Sequence, residues 1–494
     1  MKKLFAMAGF LLISSLGFSI DVNKDELQSA GQDAVQFENY GGPHAVIESA
    51  DAITGIGISL GSEVARDLEN PLSVQPQAKY SLYHVVGSPE EQGLDADILF
   101  LNANAMVDHI NNLRRIITGY LMSAYAYPEE DARTLSVFVT VYNAVYRGQL
   151  SNFSSKYKNA VLTYLTEDSV GLSTNWEEWA GKTQIVIPLG ALAQGEASID
   201  TSVISDDKVI EALRADEDKN VEVREKLTDI KEKEAGDASE KAKTAQKEAA
   251  QEKKEGKTEQ AAESAKKAAE QQKIADRKTD EVKTERQTIA KDKEEIKKTE
   301  TAQSAEVVEK YLTSLFVVDE KNKLYSLMTV NPKNGQVVRK SELKQIREKS
   351  IYPVTDVTVQ RESGESVSFA ELFLAVCGVK DKRSAIKLCL VDAGDLQIQK
   401  QSEETLSENS PLIKQGDEFY VIIAEGKNYY LAAYDKNLTL KKKSTLAING
   451  SSPLNIYDDG VLVTDSKGNP LLLQHSNFDS VWNASANTRT VDAK

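Results

Sequence analysis

At 494 residues the chain is too long for one hydrophobic core and predicts two or three domains. Its net charge of −16 is concentrated in residues 21–230, which sum to −18, while residues 301–494 sum to −1. This acidity excludes nucleic acid and anionic membrane surfaces as partners of the N-terminal half, because phosphate binding requires Lys/Arg clusters.

The first residues read as a secretory signal. Lys2 and Lys3 precede the mostly apolar residues 4–16, and Gly17, Phe18 and Ser19 place small residues around a cleavage before Ile20. The apolar run is shorter than the roughly 20 residues that span a bilayer. No later stretch reads as a transmembrane segment, so the expectation is export, to the periplasm, the outer membrane or the cell exterior.

Residues 20–205 read as an acidic α/β domain. Strand candidates are residues 45–48, 53–60, 80–86 and the continuous apolar run 98–101. Met106, Ile110, Leu113, Ile117 and Leu121 then recur at helical spacing. Pro128 followed by Glu129, Glu130 and Asp131 starts a second helix, with Leu135, Phe138, Tyr142 and Val145 on one face. A third helix is predicted over about 152–165, and a buried strand over 184–188.

Gly55, Gly57 and Gly61 form GxGxxxG rather than the dinucleotide fingerprint, and read as a Gly-rich strand with a bulge or a close backbone approach. The weak ligand-site candidates are Asp95 and Asp97, at the start of the buried run, and Asp108 and His109, on the outer side of the first helix. They lack a nucleophile–base–orienter arrangement, and His44, His84 and His475 stand isolated in sequence. No HExxH or P-loop occurs, and no catalytic residue, cofactor or metal is assigned.

Residues 206–308 form a charged helical spacer. No proline separates Pro188 from Pro332, and residues 231–300 hold 19 basic, 18 acidic and 13 Ala residues. Ser205, Asp206 and Asp207 offer N-caps. Val223, Leu227 and Ile230 begin an apolar seam that fails at Glu234 and Asp237. Val282, Ile289 and Ile296 recur every seven residues with polar companions, short of a strong coiled coil. A solitary helix here would reach about 150 Å at roughly 1.5 Å per residue. A weak coiled coil and disorder are the alternatives, with Gly236 and Gly256 the expected breaks.

Residues 309–494 change to strand rhythm. Hairpin groups are predicted over 314–341, 372–401, 419–443 and 461–474, and the 43 residues from Asp392 to Asp435 approach a propeller blade. The fold expected is all-β: four propeller-like units, a sandwich or an irregular barrel. Asp417, Asp458 and Asp459 lack calcium-loop spacing. Cys377 and Cys389 sit on neighbouring apolar runs around a turn at 380–384. In an exported chain they either form a disulfide or remain buried thiols.

Three stretches carry a family likeness: Asp95 to Ile98, Val107 to Ile117 and Phe138 to Arg147, supported by Gly171 to Thr174 and Ile185 to Leu189. With the order of parts, they resemble the spirochaetal 83/100-kDa antigen family over essentially the whole chain. The resemblance implies an exported cell-envelope antigen with no established catalytic residues. The expectation is therefore a non-enzymatic structural or protein-interaction component with unidentified protein partners and two globular ends. An N-terminal hydrolase or small-ligand module and a C-terminal adhesin are the competing readings.

Overall fold

The computed structural model describes residues 35–46, 48–74, 79–190, 198–215, 220–303, 311–360, 366–380 and 384–484. The signal segment, residues 304–308 of the spacer and residues 381–383 of the expected turn lie outside them. The described residues group into two compact units, 35–40 with 48–303 and 41–46 with 311–484.

In the first unit, strands β1 (Leu72–Val74), β2 (Tyr80–Val85), β3 (Asp95–Leu101) and β4 (Thr183–Leu189) form an antiparallel sheet in chain order. The continuous apolar runs anticipated for buried strands are β3 and β4, which are buried along nearly their whole length. Helix α1 spans Ala50–Val64, α2 Ile110–Tyr125 and α3 Glu129–Val145; α1 packs on α2, α2 on α3, and α3 on β4. The face predicted for α2 is buried at Ile110, Leu113, Ile117 and Leu121, whereas Met106 precedes the helix and is exposed. The third predicted helix is two short ones, α4 (Leu150–Ser154) and α5 (Asn159–Leu162).

Helix α1 corrects the strand expected over 53–60. Ser49 caps it by accepting from the Ala52 N–H at 3.1 Å, and Asp51 sits in its first turn. Its glycines are needed for close approach to α2. A Cβ on Gly57 would lie 1.9 Å from the Ile116 carbonyl oxygen, and one on Gly119 of α2 would lie 2.2 Å from that of Thr54. Two helix backbones therefore touch where larger residues would hold them apart, and packing overrides the poor helix propensity of Gly and Ile.

Helix α6 (Asp207–Arg214) leads to two long helices, α7 (Val221–Lys254) and α8 (Thr258–Gln303). They are not one rod. The chain reverses at Gly256, whose φ of +79° is available to glycine at little cost, and α8 runs back along α7. Lys293 Nζ lies 2.6 Å from Glu225 Oε1, so residue 293 has returned beside residue 225. At roughly 1.5 Å per residue the two arms are about 51 and 69 Å long, which replaces the 150 Å expected of a single helix. Gly236 does not interrupt α7; nothing lies within 4 Å of where its Cβ would be.

The seam follows a heptad that apolar residues alone do not reveal. On α7 Arg224, Thr228, Lys231, Ala235, Ala238 and Ala242 are buried at alternating steps of four and three, while the buried Val223, Leu227 and Ile230 join the core of the first unit. On α8 Ala268, Ala275, Val282 and Ile289 are buried, together with Lys278 and Asp292. The polar companions of the apolar heptad thus face one another across an antiparallel hairpin.

In the second unit, β5 (Leu312–Asp319), β6 (Leu324–Val330), β7 (Val337–Lys340), β8 (Ile346–Gln360), β9 (Ser366–Cys377), β10 (Lys387–Asp392) and β11 (Ile398–Gln401) form one sheet of order β11-β10-β9-β8-β6-β5, with β7 on β6. Two four-stranded meanders follow: β12 (Ile413–Gln415), β13 (Glu418–Glu425), β14 (Asn428–Tyr434) and β15 (Leu440–Lys443), then β16 (Asn455–Tyr457), β17 (Gly460–Thr464), β18 (Pro470–Leu473) and β19 (Ser480–Asn483).

The sheets share cores face to face. Phe419, Val421 and Ile423 of β13 pack with Leu374 and Leu388, while Tyr420 and Ile422 on its other face pack with Val461 and Leu471. Equivalent serines mark a repeat. Ser410 accepts from the Ile422 N–H and Ser452 from the Thr464 N–H, both at 2.8 Å and 42 residues apart in each strand of the comparison. The all-β expectation therefore stands, but no closed propeller or barrel is seen among the described residues.

Candidate functional site

The four candidates of the first unit do not converge on one site. Asp97 on β3 lies opposite His84 on β2 in the strand register, which brings together residues that sequence distance keeps apart. His84 Nδ1 is 2.6 Å from Asp97 Oδ1, and its Nε2 is 3.1 Å from the Leu68 carbonyl oxygen. A carboxylate and a carbonyl only accept, so this geometry favours a ring that donates from both nitrogens, the imidazolium form. The other Asp97 oxygen accepts from Tyr120 OH at 2.5 Å and from Tyr125 OH.

Burial disfavours the charge on His84, but the bond to Asp97 and its charge outweigh this and hold the His84 pKa above its ordinary value. Burial, then the charge of Asp97, pushes both tyrosines well above the usual phenol range, so they remain donors. This His–Asp pair superficially resembles the orienting half of a catalytic triad. Its second nitrogen is spent on a backbone carbonyl, and His84 and Asp97 are both buried, which leaves no base to receive a substrate proton.

Asp95, two residues away on β3, serves a separate pair. Lys158 Nζ lies 2.9 Å and 3.0 Å from its two oxygens, and the Gly87 N–H donates to it at 2.7 Å. Asp108 is buried just before α2, and its backbone oxygen accepts from the Tyr40 N–H at 2.8 Å. Burial and then the Asp108 charge push Tyr80 up to about 12. His109 is the N-cap of α2, its Nδ1 accepting from the Asn111 N–H at 3.1 Å. His84, Tyr120 and Tyr125 carried no sequence signal beyond residue type; only the β2–β3 register assembles them.

A second charge cluster lies at the base of the hairpin. Arg224, fully buried, bonds Glu285 at 2.5 Å and Asp292 at 2.6 Å, and Arg214 of α6 grips Asp292 with two 3.0 Å bonds. Lys278 pairs with Glu234 at 2.5 Å and donates to Thr201 at 2.9 Å, while Lys231 pairs with Glu281 at 2.8 Å. Burial would raise the Asp292 pKa, but the two arginines bring it below the usual carboxylate value. These pairs fix the register of α7 on α8 rather than present a reactive group. An open groove of about 360 Å³ along the seam is floored by Ala235, Gly236 and Ala275; its rim acids Glu232 and Asp276 are bonded to Arg286 and Gln272.

In the second unit Cys377 faces Lys387 and Cys389 faces Ala375, so the two cysteines are diagonal neighbours in one core, and both are free thiols. Diagonal partners stand about 7–8 Å apart, beyond the roughly 4.4–6.8 Å between Cα atoms that a disulfide spans. Burial pushes the Cys389 thiol well up. Protein denatured without reductant is expected to take two maleimide labels, counted by intact mass, and the native protein none; zero labels after denaturation would reveal a bridge. Among the described residues no cluster of metal-ligating side chains occurs.

The order of a small α/β sheet, a charged helical hairpin and stacked β-sheets can be set against known families. The family model of the Borrelia P83/100 protein matches residues 24–259 and 243–452. The chain belongs to the Borrelia P83/100 protein family. Its two matched stretches overlap at 243–259, which is the tip of the hairpin formed by α7 and α8. No curated protein matches the chain. Among the described residues no helix is long and apolar enough to cross a membrane.

Proposed function

We propose that this member of the Borrelia P83/100 family is an exported, non-enzymatic component of the cell envelope that acts by binding other proteins. The observation that carries the reading is the use made of its buried ionisable groups. Asp95, Asp97 and Asp292 are each committed to internal cations, so they serve folding and register. The signal-like first 19 residues support export. Two units, one acidic and one nearly neutral, give surfaces suited to different partners. The long-rod spacer is replaced in this reading by a hairpin whose outward faces are charged and solvated.

The test is photo-crosslinking in intact cells from residues exposed on each unit, such as Lys266 on α8 and Val338 on β7, with adducts identified by mass spectrometry. Discrete envelope-protein adducts and loss of residues 1–19 from the mature chain are expected. Recovery of uncleaved protein from the cytosol would sink the export reading. Adducts only with host molecules would favour the adhesin reading.

A further inference from the structure

We propose that β5 is the pairing edge of a symmetric homodimer, in which the β5 strands of two copies hydrogen-bond antiparallel and join two seven-stranded sheets. Among the described residues β5 pairs with β6 alone and ends the sheet. It is eight residues long, and its register is regular until a shift between Val317 and Asp319. Leu312 to Val318 contain no charge and no proline. Leu312, Val317 and Val318 are 55%, 56% and 40% exposed.

Other edges of this unit are guarded: β7 has four residues ending in Arg339 and Lys340, and the stretch of β8 that pairs with β9 alone carries Pro353 and Asp356. Strand β11 has four residues and includes Lys400, β12 has three and includes Lys414, and β15 has four, three of them lysines. Strands β16 and β19 have only three and four residues. Short length and lysine are the usual defences against edge pairing, and β5 has neither. Every second residue of an edge strand directs its N–H and C=O away from the sheet, and only another strand supplies a matching ladder.

The composition of β5 selects a second copy as that strand. A twofold axis uses the same patch on both partners, so the patch must tolerate itself. When residues 312–318 overlap fully about such an axis, Leu315 faces Leu315, and Asp319 faces Tyr311 of the other copy. No like charges meet in the ladder, and Thr313, Phe316 and Val317 are residue types that favour strand pairing. One strand pair buries less than a standard interface, so the dimer is expected to be reversible and concentration-dependent.

Sedimentation velocity of the full chain from about 0.1 to about 100 µM tests this, a range that covers weak and transient association. The wild type is expected to move from monomer to dimer, and Val317→Lys and Val318→Lys each to weaken dimerisation at least ~10-fold. Val337→Lys, exposed on the neighbouring β7, should dimerise like the wild type. These side chains are at the surface, and unchanged unfolding temperatures would establish that the variants fold. Hydrogen exchange at residues 312–318 should slow as concentration rises. A wild type that stays monomeric, a dimer indifferent to both β5 lysines, equal loss in Val337→Lys, or open-ended association beyond the dimer would each overturn the proposal.

Discussion

Replacing Gly57 by alanine is expected to destabilise the N-terminal unit by about 3 kcal/mol, at the upper end of overpacking effects. The added methyl would lie 1.9 Å from the Ile116 carbonyl oxygen and 2.6 Å from the Tyr120 nitrogen. Both obstacles are backbone atoms of α2, so no rotamer change relieves them and the helices must separate. Gly119→Ala meets the Thr54 oxygen at 2.2 Å from the other side and should act similarly. Gly55 is the internal control. It lies in the same helix with nothing within 4 Å of a Cβ, and Gly55→Ala should stabilise by up to about 1 kcal/mol through helix propensity. Urea unfolding followed by the fluorescence of buried Trp179 reads all three variants. Equal effects of Gly55→Ala and Gly57→Ala would refute the close approach of α1 and α2.

Those glycines also show where sequence reading reached its limit. The stretch Ile53 to Leu60 looked like a strand because Ile and Gly are poor helix formers, and nothing local records that α2 lies against the glycines. By contrast, the spacing of Ile110, Leu113, Ile117 and Leu121 identified the buried face of α2 correctly, since period alone carries that information. The hairpins of the second unit were legible from turn residues, as at Lys436 and Asn437, where Asp435 Oδ1 accepts from the Asn437 N–H at 2.9 Å. Strand β8 is not legible from pattern because the charges of Arg347, Glu348 and Lys349 crowd its start and Pro353 falls within it.

The helical middle divides the same way. The low helix propensity of Gly256 marks a break, and Gly256 is the turn. The apolar seam fails at Glu234, yet Glu234 is where Lys278 bonds from the opposite arm. A pattern of apolar residues does not reveal a charge whose partner lies 44 residues away. The distribution is economical for a hairpin: Ala235, Ala238 and Ala242 allow close packing toward the tip, while the Arg224 cluster sets register at the base. A hairpin can lengthen or shorten at its tip without disturbing that base, and the two family-matched stretches overlap at the tip.

Removing the Asp97 carboxylate by Asp97→Ala is expected to cost the N-terminal unit about 3–5 kcal/mol, the range for breaking a buried ion pair from one side. It would leave the His84 ring and the hydroxyls of Tyr120 and Tyr125 facing a cavity in the core. The pH dependence is more diagnostic than the size of the loss. The groups facing His84 are Asp97 on β3, the charge of Asp95 farther along that strand and that of Asp67 next to Leu68, and Tyr120 and Tyr125 bond the same Asp97 carboxylate from the α2 side. Because the folded-state His84 pKa is raised, the folded protein binds its proton more tightly than the unfolded chain does. Its contribution is therefore complete below the unfolded value of about 6.5 and is lost as pH rises through the folded value. Wild-type stability should fall across this alkaline-going window relative to His84→Gln, which lacks the titrating ring. In Asp97→Ala the same difference should shrink, because the acceptor that raised the His84 pKa has gone. Unfolding free energies measured from pH 6 to pH 9 in all three proteins separate the cases. A wild type and His84→Gln with parallel pH profiles would show that His84 does not hold a buried charge.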